Sequence, residues 1–301
     1  MKRSHLIALI VLNIFWAASY SSFAALKKIG IGVGEIVTLR YTLAALVMGV
    51  LWPILPGKSP RGRDLATALA MGVIVFVGAP RLQVLGVHLG NAADSSVLMA
   101  FEPLITSVAA ALFLREYVPA RRWFGFSLGL LGVLLLNRVW RPEFQMTNLT
   151  ANAVFISAFL CEAAYSVLGK ALIGRAGLLR VLTIALLGGA IVNLALDGPS
   201  TVAVARTLPA AAWWHVSYLV AICTLVGYAV WYVVISETDV NLAIMTIFIQ
   251  PLAGVPIAAF LLGEPLHWGQ LWGGLAIVAG LALGLWPPKV KRNQEAADMG
   301  A

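Results

Sequence analysis

Four ionisable residues, Arg40, Arg81, Glu102 and Glu162, fall inside long runs of hydrophobic residues. A charged side chain at the centre of a bilayer costs about 2.5 to 3.5 kcal/mol on insertion scales, so each asks for a counter-charge, a wet cavity or a function. Arg40 offers a forked guanidinium that can grip a carboxylate through two parallel hydrogen bonds, brace neighbouring helices or reach outward to the interface. Glu102 directly precedes Pro103. The proline ring removes an N–H and frees a carbonyl one turn back, so a kink and a carboxylate coincide. Arg81 and Glu102 differ in depth by about three residues, roughly 5 Å of helical rise, which allows an ion pair between them. A substrate or a proton could compete for either partner. Glu162 has Tyr165 and Ser166 three and four residues on, hence on its own helical face, and no nearby cation within its own run. Such a carboxyl can take up and release a proton, or stay neutral and hydrogen-bonded.

Polar and aromatic residues accompany these charges. Asn13, Trp16, Ser19 and Tyr20 lie in the first apolar run, Gln83 in the third, Tyr228, Trp231 and Tyr232 in the eighth, and Gln250 in the ninth. Together they supply aromatic walls and a few hydrogen-bonding groups for a cavity, although each alone also serves as packing. The expected substrate cavity is therefore Asn13, Trp16, Tyr20, Arg40, Arg81, Gln83, Glu102, Glu162, Tyr165, Tyr228, Trp231 and Gln250. No catalytic residue or cofactor is expected. The chain has no Gly-Lys-Ser/Thr phosphate-binding motif, and His5, His88, His215 and His267 are scattered near the ends of apolar runs. Cys161 and Cys223 lie within apolar segments and read as small hydrophobes.

The elements that must position these residues follow from composition. Hydrophobic residues make up 60% of the chain, charged residues 11%, and the mean hydropathy is +0.90. Apolar runs of roughly 20 residues recur from end to end, each long enough to cross a hydrocarbon core of about 30 Å. Spans are expected near 6–26, 34–53, 65–88, 92–114, 120–138, 151–173, 180–197, 211–234, 240–262 and 267–286. They show no period of two, and a spanning backbone must satisfy its own hydrogen bonds, so they are helices. The N-terminal stretch, basic and then apolar, reads as a retained first span because Asn13, Ser19 and Tyr20 interrupt it.

The net charge of +8 is spread over the connections and forms no single stripe, which points to membrane orientation and away from nucleic acid. With the N-terminus inside, cytoplasmic segments collect Lys2, Arg3, Lys58, Arg61, Arg63, Arg115, Arg121, Arg122, Lys170, Arg175, Arg180, Lys289, Lys291 and Arg292. External segments hold only Lys27, Lys28, Arg138, Arg141 and Arg206. Both termini are therefore expected in the cytoplasm. Trp52, Trp140, Trp213, Trp214, Trp268 and Trp286 sit at span ends as interfacial anchors.

Sliding the chain along itself by 148 residues lays Glu102-Pro103 on Gln250-Pro251, Glu116 on Glu264, Gly125 on Gly273 and Gly132 on Gly280. Five crossings per half force the two copies to enter the membrane in opposite directions, the inverted-repeat plan of secondary transporters. Gly125, Gly129, Gly132, Gly273, Gly280 and Gly284 permit close helix contacts. Glu116 and Glu264 read as acceptors for backbone N–H groups at the start of the following helix.

The segments LITSVAAALFLREYV…WFGFSLGLLGVLLL and LAGVPIAAFLLGEPL…LWGGLAIVAGLALGLW, with NIFWAASYSSFAALKK in the first span, resemble the EamA-type branch of the drug/metabolite transporter superfamily over residues 6–286. The resemblance implies a ten-helix bundle around a central cavity and the export of amino acids, other metabolites or toxic compounds. Arg115 departs from the glycine usual before Glu116 in that family. The expectation is thus an all-α integral membrane protein of ten transmembrane helices in two inverted five-helix repeats, 1–145 and 146–288, with a cytoplasmic tail at 289–301. It would be a secondary transporter of amino acids or related metabolites in the inner membrane, working by alternating access with a small-molecule substrate and the lipid bilayer as partners, and protons as the candidate coupling ion. Efflux of organic cations or drugs is the alternative. A non-transport membrane subunit is a further one, and a membrane enzyme would need a nucleophile or metal constellation that the sequence lacks.

Overall fold

A chain segment immersed in hydrocarbon must bond its own N–H and C=O groups, which favours the helix. In the computed structural model, every regular element among the described residues is helical. The structure describes residues 1–89, 98–141, 149–262 and 267–286, without the side chains of Tyr20, Val87, His88 and 258–262. The Tyr20 side chain, Glu264 and the tail at 289–301 therefore lie outside the described residues.

Helix α1 spans Arg3–Lys28 and α2 spans Val33–Leu51. Helix α3 (Arg63–Val73) continues through a wide π-turn, Ile74–Gly78, into α4 (Ala79–Leu89). Helix α5 (Glu102–Phe113) is entered through a tight 3-10 turn at Met99–Phe101, and α6 is Ala120–Leu136. In the second half, α7 is Leu149–Ile173 and α8 is Leu178–Thr207. Helix α9 (Ala210–Tyr218) runs through a second wide turn, Leu219–Val226, into α10 (Gly227–Glu237). A short α11 (Val240–Ala243) passes through a 3-10 turn, Ile244–Phe248, into α12 (Ile249–Leu262), and α13 is Trp268–Leu285. Among the described residues, eight helical runs are long and apolar enough to cross a membrane, and Met99–Phe113 is a shorter apolar helix.

One expected boundary is corrected. The seventh span, read as ending at 197, continues as a helix to Thr207 with Pro199 inside it. A proline forfeits one backbone bond and crowds the preceding turn, which helices packed among neighbours tolerate. Asp197 is thereby held inside a helix, not in a connection.

Close packing follows the glycines. A Cβ built on Gly132 would stand 2.6 Å from the Gly273 carbonyl oxygen, and one on Gly125 would stand 2.7 Å from that of Gly280. Helices α6 and α13 therefore touch backbone to backbone, as small residues in membrane helices allow. Helix α8 packs against α2 and, in this backbone-to-backbone way, against α3, with Gly72 against the Ala185 carbonyl and Gly188 against Leu69.

Ion pairs gather at one end of the bundle, joining Lys2 to Glu237 and Arg175 to Asp64. At the same end the Glu116 carboxylate accepts from Lys170 Nζ at 2.8 Å, from the backbone N–H groups of Val240 and Asn241 at 2.8 and 3.0 Å, and from Asn241 Nδ2 at 2.6 Å. Arg122 bonds the Asn241 side-chain oxygen in turn. Glu116 thus caps the start of α11 in the other half of the chain, not the following helix α6. The Arg122 and Trp123 N–H groups of α6 are already taken by the Pro119 carbonyl.

Candidate functional site

The two wide turns prepare the centre of the bundle. Widening a helix by one residue breaks the regular ladder and frees backbone carbonyls for outside donors. In the turn at Leu219–Val226, the Cys223 carbonyl accepts from Trp16 Nε1 at 3.0 Å, while Thr224 donates to the Leu219 carbonyl and accepts from Arg40 Nε at 2.7 Å. In the turn at Ile74–Gly78, the Phe76 carbonyl accepts from Asn193 Nδ2 at 2.9 Å. Each turn thereby fixes a polar side chain from another helix.

Between these turns lies a cavity of about 160 Å³. Trp16, Arg40, Gln83, Glu102, Glu162, Tyr165, Tyr228, Trp231 and Gln250 line it. Arg40 sits over the Tyr41 ring, 5.0 Å from guanidinium carbon to ring centroid, a cation–π distance. Glu102 and Glu162 have no hydrogen-bond or ion-pair partner among the described residues, and Glu162 lies within electrostatic reach of both Arg40 and Glu102. One wall is aromatic: Tyr165 stacks on Tyr232 at 4.4 Å and meets Tyr228 at 4.9 Å, and Trp231 donates to Ser166 Oγ at 3.1 Å. Tyr232 is fully buried between this wall and the end of the bundle that carries Glu116.

Two expected residues, Asn13 and Arg81, stand apart from the cavity wall. Asn13 is buried beside it, donating to the Leu9 carbonyl and to Thr246 Oγ1 and accepting from Gln250 Nε2 at 3.0 Å, so it positions Gln250. Arg81 does not pair with Glu102. It bonds Asp197 and Asn193 on α8, because the helical extension to Thr207 brings Asp197 alongside. The Tyr20 side chain is outside the described residues.

The lining also includes Phe23, Tyr41, Pro80, Met99, Thr106, Ile244 and Ile247, which sequence reading missed. A signal was present for several of them. Met99 and Thr106 flank Glu102 by three and four residues, Pro80 precedes Gln83 by three and Ile247 precedes Gln250 by three, the spacing of a shared helical face.

Fold and site together define a multi-pass helical membrane protein built around a cavity of mixed charge. The sequence model of the EamA-like transporter family matches the chain twice, over residues 3–138 and 149–286. The chain belongs to that family, whose members are transporters and not enzymes. It is similar to a Bacillus subtilis protein named "Uncharacterized transporter YyaM", 22% identical over 80% of this chain and 81% of that one. It is also similar to the "Probable terminal-alkyne amino-acid exporter" of Streptantibioticus cattleyicolor, 27% identical over 94% of each chain. A solved crystal structure superimposes with a TM-score of 0.74 at 14% identity, covering 94% of this chain and 96% of its own, a likeness of fold.

Proposed function

We propose that this protein is a secondary transporter that exports or exchanges amino acids or related metabolites across the inner membrane by alternating access. The observation that carries the reading is the cavity itself, lined by one guanidinium, by two carboxyls without a partner among the described residues, and by aromatic rings. A zwitterion complements that arrangement: its carboxylate suits Arg40, and its ammonium suits Glu102 or Glu162. The amino-acid exporter among its relatives adds weight. Protons are the coupling ion in this reading, carried by whichever carboxyl the substrate leaves unpaired.

The working plan is ten crossings in two inverted halves, 1–145 and 146–288. It is supported by the doubled family match, and by recurrent irregularities at matching positions. Wide turns fall at Ile74–Gly78 and Leu219–Val226, and 3-10 turns lead into Glu102-Pro103 and Gln250-Pro251. The bundle end bearing Lys2, Arg175 and Lys170 is rich in basic connections, which supports a cytoplasmic location for both termini.

A second reading, efflux of organic cations, is favoured by the excess of carboxyls over cations in the cavity and by its aromatic wall. Counterflow in proteoliposomes with labelled amino acids and organic cations separates the two. Amino-acid counterflow is expected in the wild type, falling about 10-fold or more in Glu102→Gln, since a bond to a charged group contributes about 1.5 to 3 kcal/mol. Flux of cations alone would establish the second reading. Folded protein moving no solute of either class would sink transport of both by this chain on its own, and would point to a partner-dependent subunit.

A further inference from the structure

A second cavity of about 170 Å³ adjoins the first, and the two share Met99, Ile247 and Gln250 as their common border. Among the described residues, its remaining wall carries no ionisable side chain and includes Ala17, Pro103, Val133, Phe248, Pro251 and Gly254. Glu102 faces the charged cavity while the next residue, Pro103, faces the apolar one. Gln250 lines both, held by one amide N–H that donates to buried Asn13, and so stands as a polar group on the border between the two spaces. At Gly254 no atom of the described residues lies within 4 Å of where a Cβ would stand, so the wall is open there for want of a side chain.

We infer that this side cavity receives the apolar side chain of the transported solute while its charged head is held among Arg40, Glu102 and Glu162. An apolar space joined to a charged one selects a molecule with both characters. Its volume compares with that of an apolar cavity of about 150 Å³ able to hold benzene, so it accommodates a chain of up to about six carbons. The substrate class is an aliphatic α-amino acid. The head group rests on the amino-acid reading above, whereas the tail rests on the side cavity alone.

The test is ligand-induced thermal stabilisation of the purified full chain, read as affinity, with three homologous series. These are the α-amino acids with unbranched side chains from alanine through norvaline, norleucine and 2-aminooctanoate to 2-aminodecanoate, the matching n-alkylamines and the matching n-alkanoates. In the amino-acid series affinity is expected to rise about four-fold per methylene, the equivalent of about 0.8 kcal/mol per buried CH₂. Gly254→Leu should flatten the rise between norvaline and norleucine, and Val133→Ala should extend it to longer chains. Dependence on chain length that is absent from every series, or unchanged by both variants, overturns the side cavity. A rise confined to the amines, and altered by the variants, keeps the side cavity and overturns the amino-acid head. Binding by no member of any series overturns both.

Discussion

Arg40 holds its place through Nε alone, which donates to Thr224, itself fixed to the Leu219 carbonyl by the wide turn. No hydrogen bond to its two terminal nitrogens is found among the described residues, so the forked end of the guanidinium is left for a ligand. The carboxyls opposite it differ in surroundings. Glu162 lies in the field of Arg40, whereas the charge acting on Glu102 is that of Glu162 itself. Two carboxylates and one guanidinium in a low-dielectric space repel an added anion unless a proton or an ammonium accompanies it. If Glu162 carries that proton, accumulation by Glu162→Gln in proteoliposomes becomes the same with and without a pH gradient. An unchanged gain from the gradient in the variant would remove Glu162 from the coupling. Sequence alone marked these three groups, because charge within apolar runs is costly and therefore conspicuous. It paired Arg81 wrongly, because the run Asp197-Gly198-Pro199 carries the composition of a turn while the chain there remains helical.

At the scale of the element, the informative departures are local and recur in both halves. Neither wide turn has a residue pattern of its own: Ile74–Gly78 and Leu219–Val226 are apolar apart from Thr224, so periodicity could place their helices but not their extra width. The glycine seams were legible, since a residue without a Cβ at helical spacing states how near a neighbour can come. That nearness makes a graded prediction. Gly132→Ala would push a methyl into the Gly273 carbonyl, 2.6 Å away, where backbone must shift. A cost of about 1 to 3 kcal/mol is expected from such overpacking. Gly254→Ala meets open space and gains helix propensity, so it should cost nothing or stabilise slightly. Equilibrium unfolding in detergent compares the two. Equal losses would mean that α6 and α13 do not meet as closely as their backbones here indicate.

Across the whole molecule, alternating access requires that one end be shut while the other is open, and that what shuts it be breakable. The buried Tyr165–Tyr232 stack and the Glu116 network lie in series between the cavity and the end bearing Lys2. Glu116 ties α11 and Lys170 of the second half to the connection between α5 and α6 of the first, so opening that end must separate bonds that cross between halves. Burial works to raise the Glu116 carboxyl, but the Asn241 N–H, the Lys170 side chain and the Val240 N–H outweigh it and hold the group below the ordinary glutamate value. A carboxyl lowered in the folded state stabilises fully above its unfolded value, about 4.3, and that contribution fades as pH falls through the lower folded value. Thermal unfolding from pH 7 to pH 3 should therefore show the wild type losing stability below about pH 4. Glu116→Gln should start lower at pH 7, by about 1 to 3 kcal/mol for weakened bonds to a buried charge, and lose less on acidification. A variant whose acid profile parallels the wild type would place the acid-sensitive tie elsewhere. One that matches it at pH 7 as well would show that the contacts made by Glu116 do not hold this end closed.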